Sequence, residues 1–210
     1  MGRRPFIHIN YAAEDGGSTS APTAADGTIS CCSDWRRVHT LRERYDAIAV
    51  GGKTWNIDRP RLTVRSERLG REPRRQPSRV IFAGSQPCQV PLPGAPAFVI
   101  SSRRDVDPRA VALAMNGYDL RRPLEGLYDH GIRSLLVEGG PTLLRSFINQ
   151  GVVDVMSLFV RAGTPEAADR GVRDSLDARS LDALRLSFRV RAFGEGFLME
   201  AGSVEAAVDS

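Results

Sequence analysis

Cysteine, histidine and lysine are scarce in this chain of 210 residues, which contains three cysteines, three histidines and one lysine, Lys53. Cys31 and Cys32 are adjacent and match neither a zinc-binding nor a redox spacing. No metal site and no disulfide framework is therefore predicted, and a reducing compartment is favoured. The sequence also lacks a G-x-S-x-G motif, and its few histidines make a nucleophilic triad an unattractive hypothesis.

Long apolar runs are absent as well. No segment approaches the roughly 20 apolar residues that a membrane-spanning helix requires, and the charged start, MGRRPFIHINYA, is unlike a signal peptide. The net charge is only +4, and no arginine run is interleaved with aromatic residues, so nucleic acid is not a predicted partner. We expect a soluble cytoplasmic protein whose arginines suit phosphorylated small molecules, because guanidinium groups bind phosphate through paired hydrogen bonds.

Short apolar segments alternate with helical patterns, which predicts an α/β fold with a mostly parallel sheet. Strands are expected at residues 6–11, 47–50, 79–83, 97–101, 135–137 and 152–160, and residues 184–193 and 197–200 predict a terminal antiparallel hairpin. Helices are expected at residues 33–44, 123–130 and 142–150 and from Asp107-Pro108 onward, whereas the charged residues 161–179 are expected to form a loop. One domain is predicted over residues 1–210, with a core at 4–200 and a frayed tail at 201–210.

Residues 135–147, LLVEGGPTLLRSF, are the most informative segment. A buried strand is expected to end at Glu138, two glycines follow, and Pro141 suits the first turn of a helix. A helix that opens on glycines presents unpaired backbone N–H groups and a positive dipole end, and both favour a phosphate. Glu138 would stand at the carboxyl end of its strand, where open α/β sheets hold ligands. The alternative interpretation is a turn that only packs the helix onto the sheet.

The sequence GGKT at residues 51–54 resembles the end of a phosphate-binding loop, but Ala47 stands where the first glycine of that motif belongs. Pro60 follows too closely for a long helix, and no G-x-G-x-x-G fingerprint occurs, so nucleoside triphosphatase and standard Rossmann sites are disfavoured. Several polar residues remain beside strand ends or on a neighbouring helix. Together they suit a phosphorylated substrate and a nucleotide cofactor: Arg42, Thr54, Asp58, Arg65 and Glu138.

Three segments carry a family resemblance: Arg4-Pro5-Phe6, VHTLRERYDAIAVGGKTWNIDRPRLTVR at residues 38–65, and VEGGPTL at residues 137–143. In order and spacing, the chain from about residue 4 to residue 200 resembles the reductase domain of the riboflavin-pathway deaminase–reductases. It is similar also to the stand-alone diaminopyrimidine reductases of archaea and fungi. The resemblance implies a dihydrofolate-reductase-like three-layer fold and a homodimer. It further implies that a ribosylamino-pyrimidine 5′-phosphate is reduced to its ribitylamino form by hydride transfer from NADPH to the sugar C1′.

The resemblance also implies roles for individual residues. Arg42 and Arg65 would hold the substrate and its phosphate, Leu62 would line the substrate pocket, and Glu138 would hydrogen-bond the substrate. Asn10 is expected at the substrate as well, and Asp58 is the candidate for proton transfer beside the nicotinamide. Arg103 or Arg104 is a candidate partner for the 2′-phosphate of NADPH. The implied cofactor contacts are Thr28, Thr54, Asp58, Gly139, Gly140, Pro141, Thr142 and Leu143.

The chain departs from the family pattern at several positions, including the segment Glu14-Asp15-Gly16, which is a degraded form of the usual Ser-Leu-Asp-Gly. Asn10 stands where a lysine is usual, Asp26 where a serine is common, Thr28 where a tryptophan is common, and Arg59 where a second aspartate is usual. Because these positions are expected near the base and sugar of the substrate, its identity stays open between the diaminopyrimidinone, the aminouracil and another pyrimidine. Two alternatives also remain: a reductase of a dihydropterin or dihydrofolate-like ring, and a catalytically degenerate module that binds a nucleotide.

Overall fold

A nine-stranded sheet forms the centre of the computed structural model, which describes residues 3–19, 28–89, 97–176, 179–180 and 188–202. The strands are β1 (Phe6–Glu14), β2 (Ala47–Gly51), β3 (Ser78–Gly84), β4 (Ala97–Ser101), β5 (Val111–Ala114), β6 (Ser134–Gly139), β7 (Val155–Arg161), β8 (Arg189–Phe193) and β9 (Gly196–Ala201). Their order is β5-β4-β3-β2-β6-β1-β7-β9-β8. The first seven strands in that order run parallel, and β9 pairs antiparallel with both β7 and β8. The predicted mixed, mostly parallel sheet with a C-terminal hairpin is confirmed.

Helices cover both faces of the sheet. They are α1 (Cys32–Arg44), α2 (Gly52–Asp58), α3 (Ser66–Leu69), α4 (Arg121–Asp129), α5 (Pro141–Asn149) and α6 (Pro165–Ser175). Ile7 and Ile9 of β1 pack in one apolar cluster with Leu124 of α4, Phe147 of α5 and Val172 of α6. A second cluster on the opposite face joins the sheet to Trp55 of α2 and Leu41 of α1. Within the described ranges, no helix combines the length and the apolar character needed to cross a membrane.

The helix predicted from Asp107-Pro108 is wrong. Ala110 N donates to Asp107 O at 3.0 Å in a turn, and the chain then forms the edge strand β5 beside β4. Asp107 also accepts hydrogen bonds at Oδ1 from the backbone N–H and from Nε of Arg109, so its carboxylate stabilises the turn. A four-residue edge strand takes its backbone hydrogen bonds from a neighbour that is distant in sequence, which local propensity does not encode.

The loop predicted over residues 161–179 is also wrong, since α6 occupies most of that stretch. Thr164 caps this helix by accepting from Ala167 N at 3.2 Å, and Pro165 stands in the first turn. The buried face consists of small residues, which makes its helical period hard to recognise. Gly171 brings the helix close to β1, where an added Cβ would lie 2.6 Å from the carbonyl oxygen of Glu14.

A buried polar network lies between β1 and α1. His8 Nε2 donates to Ser157 Oγ at 2.8 Å, and His8 Nδ1 accepts from the hydroxyl of Tyr45 at 2.6 Å. This tautomer follows because the single hydroxyl hydrogen of Ser157 is donated to Asn10 Oδ1, so Ser157 Oγ can only accept from His8. Asn10 Oδ1 also accepts from Arg37 Nη2 at 2.8 Å. Burial, aided by the charge of Arg37, lowers the pKa of His8 to about 3. The imidazole is therefore neutral in the folded chain at ordinary pH.

Acid should weaken the fold through His8. In the unfolded chain His8 has its ordinary pKa of 6.5, so it binds a proton as the pH falls below that value. In the folded chain His8 binds this proton only near pH 3. The free energy of unfolding therefore falls as the pH drops from 6.5 to about 3. One such group contributes at most about 1.4 kcal/mol per pH unit. Urea unfolding midpoints at several pH values should show a shallower dependence for His8→Asn than for wild type. His130→Asn, which removes an exposed imidazole, is the control, and an unchanged slope in His8→Asn would contradict the assignment.

Candidate active site

A cleft with two lobes runs along the carboxyl ends of the parallel strands. The wide lobe, of about 940 Å³, lies toward β1 and α1, and its lining includes Tyr11, Thr28, Trp35, Glu138 and Leu144. The narrow lobe, of about 530 Å³, lies toward β3 and β5, and its lining includes Lys53, Ser85, Gln86, Met115 and Tyr118. The lobes meet at residues that line both of them: Thr54, Asp58, Gly140 and Pro141.

The corner at which the lobes meet is built on a glycine. Gly140 has a φ of +84° and precedes α5, and a Cβ at this position would lie only 2.8 Å from Thr54 Oγ1. The N–H groups of Leu143 and Leu144 donate to Gly140 O at 2.9 and 3.1 Å, which begins the helix. The amide of Thr142, in the first turn, has no acceptor within the helix. Gly140 therefore lets the Thr54 side chain approach the backbone closely, and the start of α5 beside it faces both lobes. A helix start in this position suits a phosphate.

Arg42 and Glu138, both predicted to hold a substrate, bind each other. Arg42 Nε and Nη2 donate to the two carboxylate oxygens of Glu138 at 2.8 and 2.6 Å, and Arg42 Nη1 donates to Thr63 O at 3.1 Å. The side chains are only 12% and 8% exposed. Burial lowers the pKa of Arg42, but the charge and hydrogen bonds of Glu138 outweigh this effect, so the pKa lies above its ordinary value. The pair joins α1 to β6, and Glu138 remains part of the wall of the wide lobe.

The segment after α2 has an unusual backbone that is tightly held. Arg59 and Leu62 have φ values of +44° and +51°, a conformation that costs a non-glycine residue about 1–3 kcal/mol. Gln76 accepts from Val64 N and donates to Val64 O, each at 2.8 Å. The Leu62 side chain is 2% exposed and packs in the apolar cluster of Trp55. The structure thus places Leu62 in the core, and its contact with a substrate stays a prediction.

Cations and unpaired donors lie together beside the wide lobe. The guanidinium carbons of Arg65 and Arg68 lie 5.9 and 5.2 Å from the ring centroid of Trp35. Burial and the neighbouring charges of Arg42 and Arg68 lower the pKa of Arg65. His39 Nδ1 accepts from Arg65 N at 3.1 Å, so its Nε2 carries the hydrogen. Within the described residues, neither that Nε2 nor Trp35 Nε1 has a hydrogen-bond partner, although both are buried.

Some of the remaining predicted residues line the cleft, and others lie outside it. Asp58 is exposed at the end of α2 and, among the described residues, makes no hydrogen bond or ion pair. Thr28 lines the wide lobe and donates to Ser30 O at 3.3 Å. Asn10 lies in the network beneath α1 and is 4% exposed. Asp26 falls outside the described residues. Gly139 lines the wide lobe, whereas Thr142 and Leu143 line the narrow one.

The two arginines predicted for a 2′-phosphate are not part of the narrow lobe as the described residues form it. Arg103 donates from Nε and Nη2 to the carboxylate of its neighbour Asp105, and Arg104 is exposed. Three residues at or beside the cleft were not predicted as site residues from the sequence: Lys53, Trp35 and His39. Only Lys53 had a visible signal, as the single lysine of the chain directly after two glycines.

The fold and its cleft define a three-layer α/β domain with an open cleft along the carboxyl ends of its parallel strands. Residues 5–163 match the family model of the RibD C-terminal domain, and the chain belongs to that family. Two similar relatives are the 2,5-diamino-6-ribosylamino-4(3H)-pyrimidinone 5′-phosphate reductases of Archaeoglobus fulgidus and Methanothermobacter thermautotrophicus. The first is 34% identical over 94% of this chain and 98% of its own length, and the second is 32% identical over 94% and 97%.

Two solved structures have a similar fold. The deaminase/reductase of Thermotoga maritima superposes with a TM-score of 0.70 at 25% identity, over 95% of this chain. This chain spans only 56% of that larger protein. The riboflavin biosynthesis reductase Rib7 of Saccharomyces cerevisiae superposes with a TM-score of 0.68 at 17% identity, over 95% of this chain and 90% of its own, and shares the fold.

Replacing Glu138 by glutamine should destabilise the fold. The change leaves the buried guanidinium of Arg42 without its countercharge, which typically costs about 3–5 kcal/mol. Urea unfolding would measure the loss. The matched control is Asp105→Asn, which breaks the exposed pair with Arg103 and should leave the midpoint unchanged. Equal midpoints for Glu138→Gln and wild type would show that the pair does not stabilise the chain.

Proposed function

We propose that the chain is an NADPH-dependent reductase of riboflavin biosynthesis. Its substrate would be a ribosylamino-pyrimidine 5′-phosphate, with the 2,5-diamino-pyrimidinone favoured because the two full-length archaeal relatives carry that name. The observation that carries the proposal is the meeting of two lobes at Asp58 and Gly140, with the start of α5 at their junction. Trp35, whose ring lies near the guanidinium groups of Arg65 and Arg68, lines the wide lobe. Such a cleft suits a phosphorylated substrate and a dinucleotide placed end to end.

The cofactor fits the narrow lobe and the corner. The space beside Gly140 and the first turn of α5 would take the pyrophosphate, with Gly139, Pro141, Thr142 and Leu143 as its surroundings. The nicotinamide would then lie near Thr54 and Asp58, with Thr28 across the wide lobe. NADPH supplies a hydride, and the chain supplies orientation and charge.

The substrate would occupy the wide lobe. Arg65 is proposed to bind the phosphate, because a cation beside the buried, unpaired donors of Trp35 and His39 suits an anion. Glu138 would accept hydrogen bonds from the pyrimidine while it stays paired with Arg42, since a carboxylate has more acceptor positions than Arg42 occupies. Arg42 would therefore act by holding Glu138 in place.

Asp58 is proposed to handle the proton. Reduction of the opened, imine form of the sugar adds a hydride to C1′ and a proton to the nitrogen, and NADP⁺ leaves. The position of Asp58 at the meeting point of the lobes, with no hydrogen-bond or ion-pair partner among the described residues, supports this role. Contact of Asn10 with the substrate and the homodimer implied by the resemblance remain parts of this proposal, as does the cytoplasmic location expected from the sequence.

The direct test is oxidation of NADPH with the candidate substrates. The absorbance of NADPH should fall when the chain is mixed with NADPH and the diaminopyrimidinone or aminouracil ribosyl phosphate. Mass spectrometry should identify the product as the ribitylamino compound. Oxidation with a dihydropterin instead would favour the pterin reductase. Binding of NADPH without turnover of any of these compounds would favour the degenerate module.

Asp58→Asn should lower kcat by about 100-fold, because a positioned acid or base contributes roughly that much or more. The affinity for NADPH, measured by fluorescence titration, should change little, since the amide keeps the shape of the carboxylate. Asp105→Asn serves as the control for loss of an exposed carboxylate. Undiminished kcat in Asp58→Asn would remove this residue from proton transfer.

A further inference from the structure

Residues 63–65, which lead from α2 into α3, belong to no strand or helix. Their backbone groups are paired with side chains instead. Thr63 O accepts from Arg42 Nη1 at 3.1 Å, and the amide group of Gln76 pairs with the N–H and the carbonyl of Val64, each at 2.8 Å. The path of this segment is therefore fixed by the side chains around it, because its polar backbone groups depend on them for partners.

His39 supplies the next of these pairings. Its Nδ1 accepts from the backbone N–H of Arg65 at 3.1 Å. His39 lies on α1 three residues before Arg42, so one face of this helix contacts two parts of the same segment. His39 is fully buried, and this burial, followed by the charges of the neighbouring arginines, lowers its pKa to about 3. The imidazole is therefore neutral, and Nδ1 remains an acceptor at ordinary pH.

The backbone of Arg65 is anchored on both sides. Its N–H donates to α1, and its carbonyl accepts from Arg68 N and Leu69 N at 3.1 and 3.0 Å, which begins α3. The guanidinium carbon of Arg65 lies 5.9 Å from the ring centroid of Trp35, which lines the wide lobe. The ion pair of Arg65 with the exposed Glu67 spans 4.0 Å and contributes little, so the guanidinium group is available to another anion.

From this arrangement we propose that His39 is a positioning residue, which holds the backbone of Arg65 so that its guanidinium group reaches the phosphate of the substrate. The inference rests on the proposed function, because it takes that phosphate to bind at Arg65. Paired hydrogen bonds from a guanidinium group to phosphate require a fixed geometry. Without the acceptor on His39, the N–H of Arg65 would lose its partner, and the backbone would shift to find another.

Donation from the other ring nitrogen is the competing explanation. His39 Nε2 carries a hydrogen, is buried and has no hydrogen-bond partner among the described residues. Asparagine and glutamine separate the two roles. The side-chain oxygen of asparagine lies near the position of Nδ1 and can accept from Arg65 N, whereas the longer glutamine carries its amide to the position of Nε2. Leucine removes both ring nitrogens and keeps an apolar side chain in the buried site.

The test is steady-state kinetics of the whole chain with NADPH and the phosphorylated substrate. His39→Leu should raise KM for this substrate about tenfold and leave kcat nearly unchanged, because the phosphate is remote from the reacting carbon. His39→Asn should recover most of the wild-type KM, and His39→Gln should resemble His39→Leu. The dephosphorylated substrate, used as a competitive inhibitor, should inhibit wild type and His39→Leu equally. His130→Asn, which removes an exposed imidazole, is the control and should behave as wild type.

Nitrogen NMR of the histidine rings adds a measurement that needs neither activity nor a stable leucine variant. The signals of His39, assigned by their loss in His39→Asn, should show a neutral ring with its hydrogen on Nε2 between pH 5 and pH 8. A hydrogen on Nδ1, or a charged ring, would overturn the inference, because Nδ1 could not then accept from Arg65 N.

Three kinetic results would overturn the inference as well. The first is an unchanged KM in folded His39→Leu. The second is recovery by glutamine instead of asparagine, which would assign the role to Nε2. The third is an equal loss of affinity for the phosphorylated and dephosphorylated compounds, which would show that His39 acts on the fold and not on the phosphate. In each of these cases the reductase proposal survives, whereas wild type that does not oxidise NADPH with the phosphorylated substrate would overturn both.

Discussion

The paired hydrogen bonds between Arg42 and Glu138 are the contact on which the cleft depends. A charge pair this well buried is stable only when its geometry is good and its remaining donors are satisfied; here Thr63 O accepts a third hydrogen bond from Arg42. The pair thereby ties together α1, the end of β6 and the segment that leads from α2 to Arg65. Each of these pieces supplies part of the wide lobe or of the cationic surface beside it.

The two lobes differ in how they could attract phosphate. Beside the wide lobe, Arg65 and Arg68 flank Trp35, and two buried N–H donors lack partners among the described residues. In the narrow lobe the corresponding features are a helix start and one lysine. This division suits one cleft that binds two different phosphorylated molecules, and it places Asp58 between them.

Most of the fold was predictable because its central strands are short apolar runs, which can be recognised as buried strands from the local sequence alone. Ala47–Gly51 and Ser134–Gly139 are of this kind, and their neighbours in the sheet are parallel strands, as alternation with helices predicts. β5 and α6 were not predictable. The first is mostly exposed and is defined by its pairing with β4, and the second packs through small residues that leave little hydrophobic signal.

The candidate site, like the fold, was predictable from the sequence only in part. Sequence alone determined that Glu138, two glycines and Pro141 would join a strand to a helix, because turn and capping preferences act over a few residues. Tertiary structure decided that Arg42 neutralises Glu138, that Asn10 belongs to a buried network, and that Lys53 rather than Arg103 faces the narrow lobe. The physical reason is that the role of a charged side chain depends on which opposite charge lies within reach, and folding brings together residues that are far apart in the chain.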